Sequence, residues 1–109
     1  MLERQDEQGL AERISRYLMA LAHPERVALV FALDERGEMT SAALADETEA
    51  EVIAVLHHLE VLLAEAIVEQ CEDGEAVVYR LPSGSHAVRI LELILAEVEA
   101  RERGEWDEE

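Results

Sequence analysis

A chain of 109 residues, half of them hydrophobic but only 4% aromatic, allows one domain with an aliphatic core and leaves little room for a second. Its 26 Asp and Glu face 9 Arg and no Lys, a formal net charge of -17, and a field of that sign repels phosphate and anionic lipid. Cys71 is the single cysteine, which excludes an intramolecular disulfide, a dithiol switch and a cysteine metal cluster within one chain.

The acidity suits a cytoplasm of very high salt, where repulsion is screened within a few ångströms, and it equally suits an ordinary glutamate-rich helical surface. Residues Met1 to Gly9 are acidic and polar and lack the pattern of a signal peptide. No apolar run approaches the roughly 20 residues of a membrane span, so a cytoplasmic protein without membrane contact is expected.

Leu2 to Leu21 reads as a helix, with Leu10, Ile14, Tyr17, Leu18 and Leu21 on one face. His23-Pro24 interrupts it, and Pro24 can open a second helix that runs to about Leu33. Gly37 lies in the following break. Thr40 or Ser41 caps a short third helix, Ser41 to about Asp46, with Leu44 inward. Asp46-Glu47-Thr48 is a turn candidate, and Thr48 with Glu51 three residues later has the capping-box pattern. The fourth helix, Glu49 to about Glu65, carries the apolar stripe Val52, Val55, Leu56, Leu59, Leu62 and Leu63.

The period then changes. Ile67 to Gln70 and Ala76 to Leu81 read as strands joined at Glu72-Asp73-Gly74-Glu75, where Asp-Gly is a strong hairpin signal. Pro82-Ser83-Gly84 ends the second strand, and Ser85 caps a last helix from about His86 to Arg103, with Val88, Leu91, Ile94, Leu95 and Val98 apolar. Gly104 to Glu109 is a fraying tail. The expected fold is mainly α, a single winged helix-turn-helix domain over 1–109 in the order α-α-α-α-β-β-α, with its core in 10–100.

Leu18-Met19-Ala20-Leu21-Ala22-His23-Pro24-Glu25-Arg26-Val27 resembles the "aLahPtRl" opening of the ArsR/SmtB regulators. Ala43-Leu44-Ala45 is similar to their "eLa". His57-His58-Leu59-Glu60-Val61-Leu62 is similar to their "hHLkvL", and Ile67-Val68-Glu69, Gly74 and Val78-Tyr79-Arg80-Leu81 to their wing. The resemblance covers roughly residues 10 to 100. It implies a DNA-binding repressor whose first and last helices pair across a two-fold axis. The homodimer interface it implies comprises Leu10, Ile14, Tyr17 and Leu18 with Leu91, Ile94, Leu95 and Val98. On the DNA side it implies Thr40, Ser41, Ala54, His57 and His58, with Arg36 and Arg80 as the nearby cations.

The departures from that pattern lie where DNA would be read. The polar run of the family's recognition helix is replaced by Glu51-Val52-Ile53-Ala54-Val55-Leu56. Aliphatic side chains offer base edges only contact with a thymine methyl. Glu60 stands at a usually basic position, Ala66 at the family glycine before the wing, and the wing tip is acidic. A second use follows, a winged helix turned to protein interaction, with Val52, Ile53 and Leu56 as a docking patch. Of these three, Val52 and Leu56 share the stripe expected to be buried, and Ile53 alone is clearly out of place.

Sensing and catalysis find little support. The third helix has no thiol for a metal site of the Cys-x-Cys kind. His86, Glu92, Glu97 and Glu99 in the last helix lack the family's ligand spacing, and adjacent His57 and His58 point about 100° apart. No metal site and no cofactor is expected. No phosphate loop, nucleophile–base pair or zinc-hydrolase spacing is present, so no enzymatic activity is expected either.

Overall fold

The computed structural model describes residues 4–104. Its elements are α1 (Arg4–Leu21), α2 (Pro24–Arg36), α3 (Ser41–Thr48), α4 (Val52–Ala64), β1 (Glu69–Asp73), β2 (Ala76–Arg80) and α5 (Ala87–Glu102), the order read from the sequence. The expected start at Leu2 and the tail beyond Gly104 lie outside the described residues.

Each boundary has a local cause. His23 is extended, and its Nδ1 accepts from the Glu25 amide at 3.1 Å, while Pro24 occupies the first turn of α2, where a missing N–H costs nothing. This helix runs past Leu33 to Arg36, since nothing before Gly37 breaks it. Gly37, at φ 83, closes it by donating to the Leu33 carbonyl at 2.8 Å. Thr40 caps α3 through Oγ1, which accepts from the Ala43 amide at 3.1 Å.

The expected capping box at Thr48 and Glu51 does not form. Thr48 is the last residue of α3, and its hydroxyl donates to the Leu44 carbonyl at 2.8 Å. Glu49 then turns left-handed at φ 57, with its amide on the Asp46 carbonyl and the Ala50 amide on the Ala45 carbonyl. This pair of bonds is the Schellman closure of a helix. It reverses the chain before Glu51, so α4 begins at Val52 with no side-chain cap. The same closure ends α4. Ala66 is left-handed at φ 57, the Ile67 amide donates to the Leu62 carbonyl at 2.9 Å, and both Leu62 and Ile67 are buried.

Ile67 and Val68 were expected in the first strand. They are instead core residues that anchor the connection from α4, so β1 starts at Glu69. The two strands pair antiparallel from Glu69↔Arg80 to Asp73↔Ala76, around a Gly74-Glu75 turn in which Gly74 supplies φ 69. Ser85 Oγ accepts from the Ala87 amide at 3.1 Å and starts α5 there.

One core cluster holds these elements. It joins Leu21 of α1, Leu29, Val30 and Leu33 of α2, Leu44 of α3, Val55, Leu59 and Leu62 of α4, and Leu91 of α5. Each fully buried Leu or Val contributes about 1.5–3 kcal/mol of transfer free energy.

Candidate nucleic-acid interface

The helix-turn-helix is α3, the left-handed turn at Glu49, and α4. The wing is tied to it by a two-bond bridge just ahead of α3. The Met39 amide donates to the Tyr79 carbonyl at 3.0 Å, and the Tyr79 amide to the Met39 carbonyl at 2.8 Å. Recognition helix and wing are therefore fixed to one frame by backbone bonds.

α4 divides into two faces. Val55, His58, Leu59 and Leu62 are buried. Turned outward are Val52 (41% exposed), Ile53 (81%) and Leu56 (39%), with His57 and Glu60 also exposed. Ile53, Leu56, His57 and Glu60 follow i, i+3, i+4, i+7 and make one strip along the helix. This corrects the sequence reading of Val52 and Leu56 as buried: the buried face is the narrower line of Val55, His58, Leu59 and Leu62, with Val52 at the helix's first residue and Leu56 beside that line.

Among the other expected DNA contacts, Thr40, Ser41 and Ala54 are half-buried, and Thr40 already spends its hydroxyl oxygen on the α3 cap. The two cations are held by carboxylates. Arg36 meets Glu47 at 2.8 Å, and Arg80 bridges Glu38 at 2.9 Å and Glu69 at 3.0 Å. The hydrogen bond to Glu38, then that to Glu69, pushes the Arg80 pKa further up. Such exposed pairs are weak and screened by solvent, so a phosphate can compete for either guanidinium.

His58, expected on the DNA side, is turned away from solvent. It is 7% exposed and sits in a hydrogen-bonded line between α2 and α4. The Arg26 guanidinium lies 3.1 Å from its Nδ1, and Glu25 Oε1 lies 2.7 Å from its Nε2. Arginine can only donate, so Nδ1 accepts and the ring carries its proton on Nε2, donating to Glu25. Arg26 is fixed further by the Ala20 and Met19 carbonyls. With His23, whose ring centroid is 4.4 Å from that of His58, the group forms a polar knot at the start of α2.

Sequence spacing hid this knot, because Glu25 and His58 are 33 positions apart. Possible ligand atoms of His23, Glu25 and His58 do lie within 4.8 Å of one another. Yet a neutral imidazole has one free lone pair, and both rings use theirs, His23 for the Glu25 amide and His58 for Arg26. As built, the cluster is an interhelix clasp rather than a vacant ligand set.

The terminal helices present a second exposed face. Ile14 and Leu18 of α1 and Leu93, Ile94, Leu95 and Val98 of α5 are exposed. Leu91, expected at the dimer interface, is 7% exposed and belongs to the chain's own core, because it starts the stripe while α5 still lies on α2. Half-buried Leu10 and Tyr17 help to line a cleft of about 600 Å³ between α1 and the Pro82–Ile90 segment. Burial there raises the Tyr17 pKa above its ordinary value of 10.0.

Five helices with a two-stranded wing, and α4 held from behind by this clasp, make a winged helix-turn-helix. No family model and no curated protein matches the sequence. Solved structures place the fold more narrowly, with the ArsR-type regulators. NolR from Sinorhizobium fredii is 26% identical at TM-score 0.73, over 90% of this chain and 94% of that one. The transcriptional repressor BigR from Xylella fastidiosa is 27% identical at TM-score 0.69, over 92% and 97%. The homodimeric winged helix-turn-helix DNA-binding domain of Mb0332 from Mycobacterium bovis, described as a possible ArsR-family regulator, is 22% identical at TM-score 0.78, over 91% and 90%. Among the described residues, no helix is long and apolar enough to cross a membrane.

Proposed function

We propose that the chain is a homodimeric, DNA-binding transcriptional regulator of the ArsR type, acting as a repressor. The observation that carries this is the placing of α3, α4 and the wing on one backbone frame, in a fold shared with proteins described as transcriptional repressors and DNA-binding domains.

Pairing through α1 and α5 is supported by the aliphatic face those helices leave open. Beyond Leu91 no residue of α5 is fully buried, although Leu93, Ile94, Leu95 and Val98 follow. A second copy across a two-fold axis covers such a face with its own equivalent. DNA contact then falls to His57, Ser41, Ala54 and the exchangeable guanidinium groups of Arg36 and Arg80, two sets per dimer. The net charge of -17 opposes it, so we infer that high ionic strength is the protein's working condition.

The test combines sedimentation with a mobility-shift titration against genomic fragments at several salt concentrations. A dimer that Leu95→Glu converts to monomer, and a sequence-selective shift in at least one salt regime, are expected. A monomer, or no shift at any salt, overturns the proposal.

A further inference from the structure

We propose that the outward face of α4 is a docking surface for a cationic amphipathic helix of another protein. The inference does not rest on DNA binding, and the two ligands compete for one face. Three observations converge. First, Val52, Ile53 and Leu56 are exposed together in the first turns of α4, and Ile53 is the most exposed large aliphatic among the described residues at 81%. These three side chains have no hydrogen-bond donors or acceptors, so apolar contact is the interaction they offer a ligand.

Second, carboxylates border the aliphatics. Glu49 and Glu51 lie in the turn ahead of them, and Glu60 lies on the same strip one turn beyond His57; all three are exposed, and none of their carboxylates has a hydrogen-bond or ion-pair partner among the described residues. Third, the two cations expected on the DNA side face carboxylates of this chain, Arg36 that of Glu47 and Arg80 those of Glu38 and Glu69. The surface that complements this one has apolar anchors at helical spacing with Lys or Arg beside them. This is helix-in-groove recognition, in which apolar anchors give affinity and flanking charge sets orientation and encounter rate.

The patch is also independent of folding. The inner face of α4 supplies the core residues and the Glu25–His58–Arg26 clasp holds the helix from behind. The outer aliphatics therefore contact solvent without contributing to the core, a use that singly scattered surface residues do not share.

The test is fluorescence anisotropy with a labelled synthetic peptide that forms an amphipathic helix, Leu on one face and Lys on its flanks. A scrambled peptide of the same composition controls for plain attraction to an acidic protein. Capture of the ordered peptide about tenfold tighter than the scrambled one is expected, with that advantage lost in Ile53→Ser and kept in Met19→Ser, at an exposed site on α1. Circular dichroism confirms that Ile53→Ser, at an exposed site, retains the fold. Equal capture of the two peptides, or an advantage untouched by Ile53→Ser, overturns the proposal. Concentration-dependent self-association abolished by Ile53→Ser also overturns it, by assigning the face to a second copy.

Discussion

The two faces of α4 have nearly the same composition and opposite fates. Inward, Val55, Leu59 and Leu62 close the core around His58. Outward, Val52, Ile53 and Leu56 meet water beside glutamates. Hydrophobicity alone does not separate them. What does is position: the inner residues lie against the cluster that α1, α2 and α3 build, and the outer ones do not. Folding has therefore determined one face and left the other free for function.

The largest effect that sharpens this contrast is on the inner face. Leu59→Ala removes a buried side chain and should cost about 2–5 kcal/mol in urea unfolding at fixed protein concentration. A cost under about 1 kcal/mol would mean the inner face is less packed than the structure shows. Next come the adjacent histidines, which put both faces in one dipeptide. His58→Ala strands the Arg26 guanidinium and the Glu25 carboxylate and should cost about 1–3 kcal/mol. His57→Ala, on the exposed strip, should stay within about 0.5 kcal/mol. Equal effects would erase the difference between the faces.

Smaller, and of opposite sign, are the two caps that orient the helix. Glu49 and Ala66 hold left-handed conformations that favour glycine. Glu49→Gly and Ala66→Gly should each stabilise by about 1 kcal/mol, read as a rise in Tm, since nothing else in the closure changes. The least change in stability is expected at the most exposed site, where Ile53→Ala should stay within about 0.5 kcal/mol.

Much of the architecture could be read from residues alone. Pro24 after His23 marked the α1–α2 break, Asp73-Gly74 marked the wing, and the helical repeats of α1, α2 and α5 were plain. The α3–α4 turn was misread because Thr48 and Glu51 imitate a capping box, whereas the observed closure runs through backbone amides and carbonyls, which side-chain pattern does not report. On α4 the periodicity put Val55, Leu59 and Leu62 inward, as observed, but Val52 and Leu56 were misassigned because a broad aliphatic stripe does not show where the buried face ends.

Contacts at the site were harder to read. The resemblance put His58 beside His57 on the DNA side, and only the fold brings it to Glu25 and Arg26, far away in the chain. Leu91 looked continuous with Ile94, Leu95 and Val98, yet the departure of α5 from the core falls between them. The surplus of carboxylates at the reading face was visible from the start. That Arg36 and Arg80 would spend themselves on it was not.

The central claim is that an acidic, aliphatic reading face holds DNA only when salt screens its field. Anisotropy of a selected DNA fragment, followed from about 0.1 M to about 2 M salt, tests it directly. The account predicts weak binding at the low end, with affinity that holds or rises with salt. Tight, sequence-selective capture in dilute buffer, falling steeply as salt is added, would contradict it.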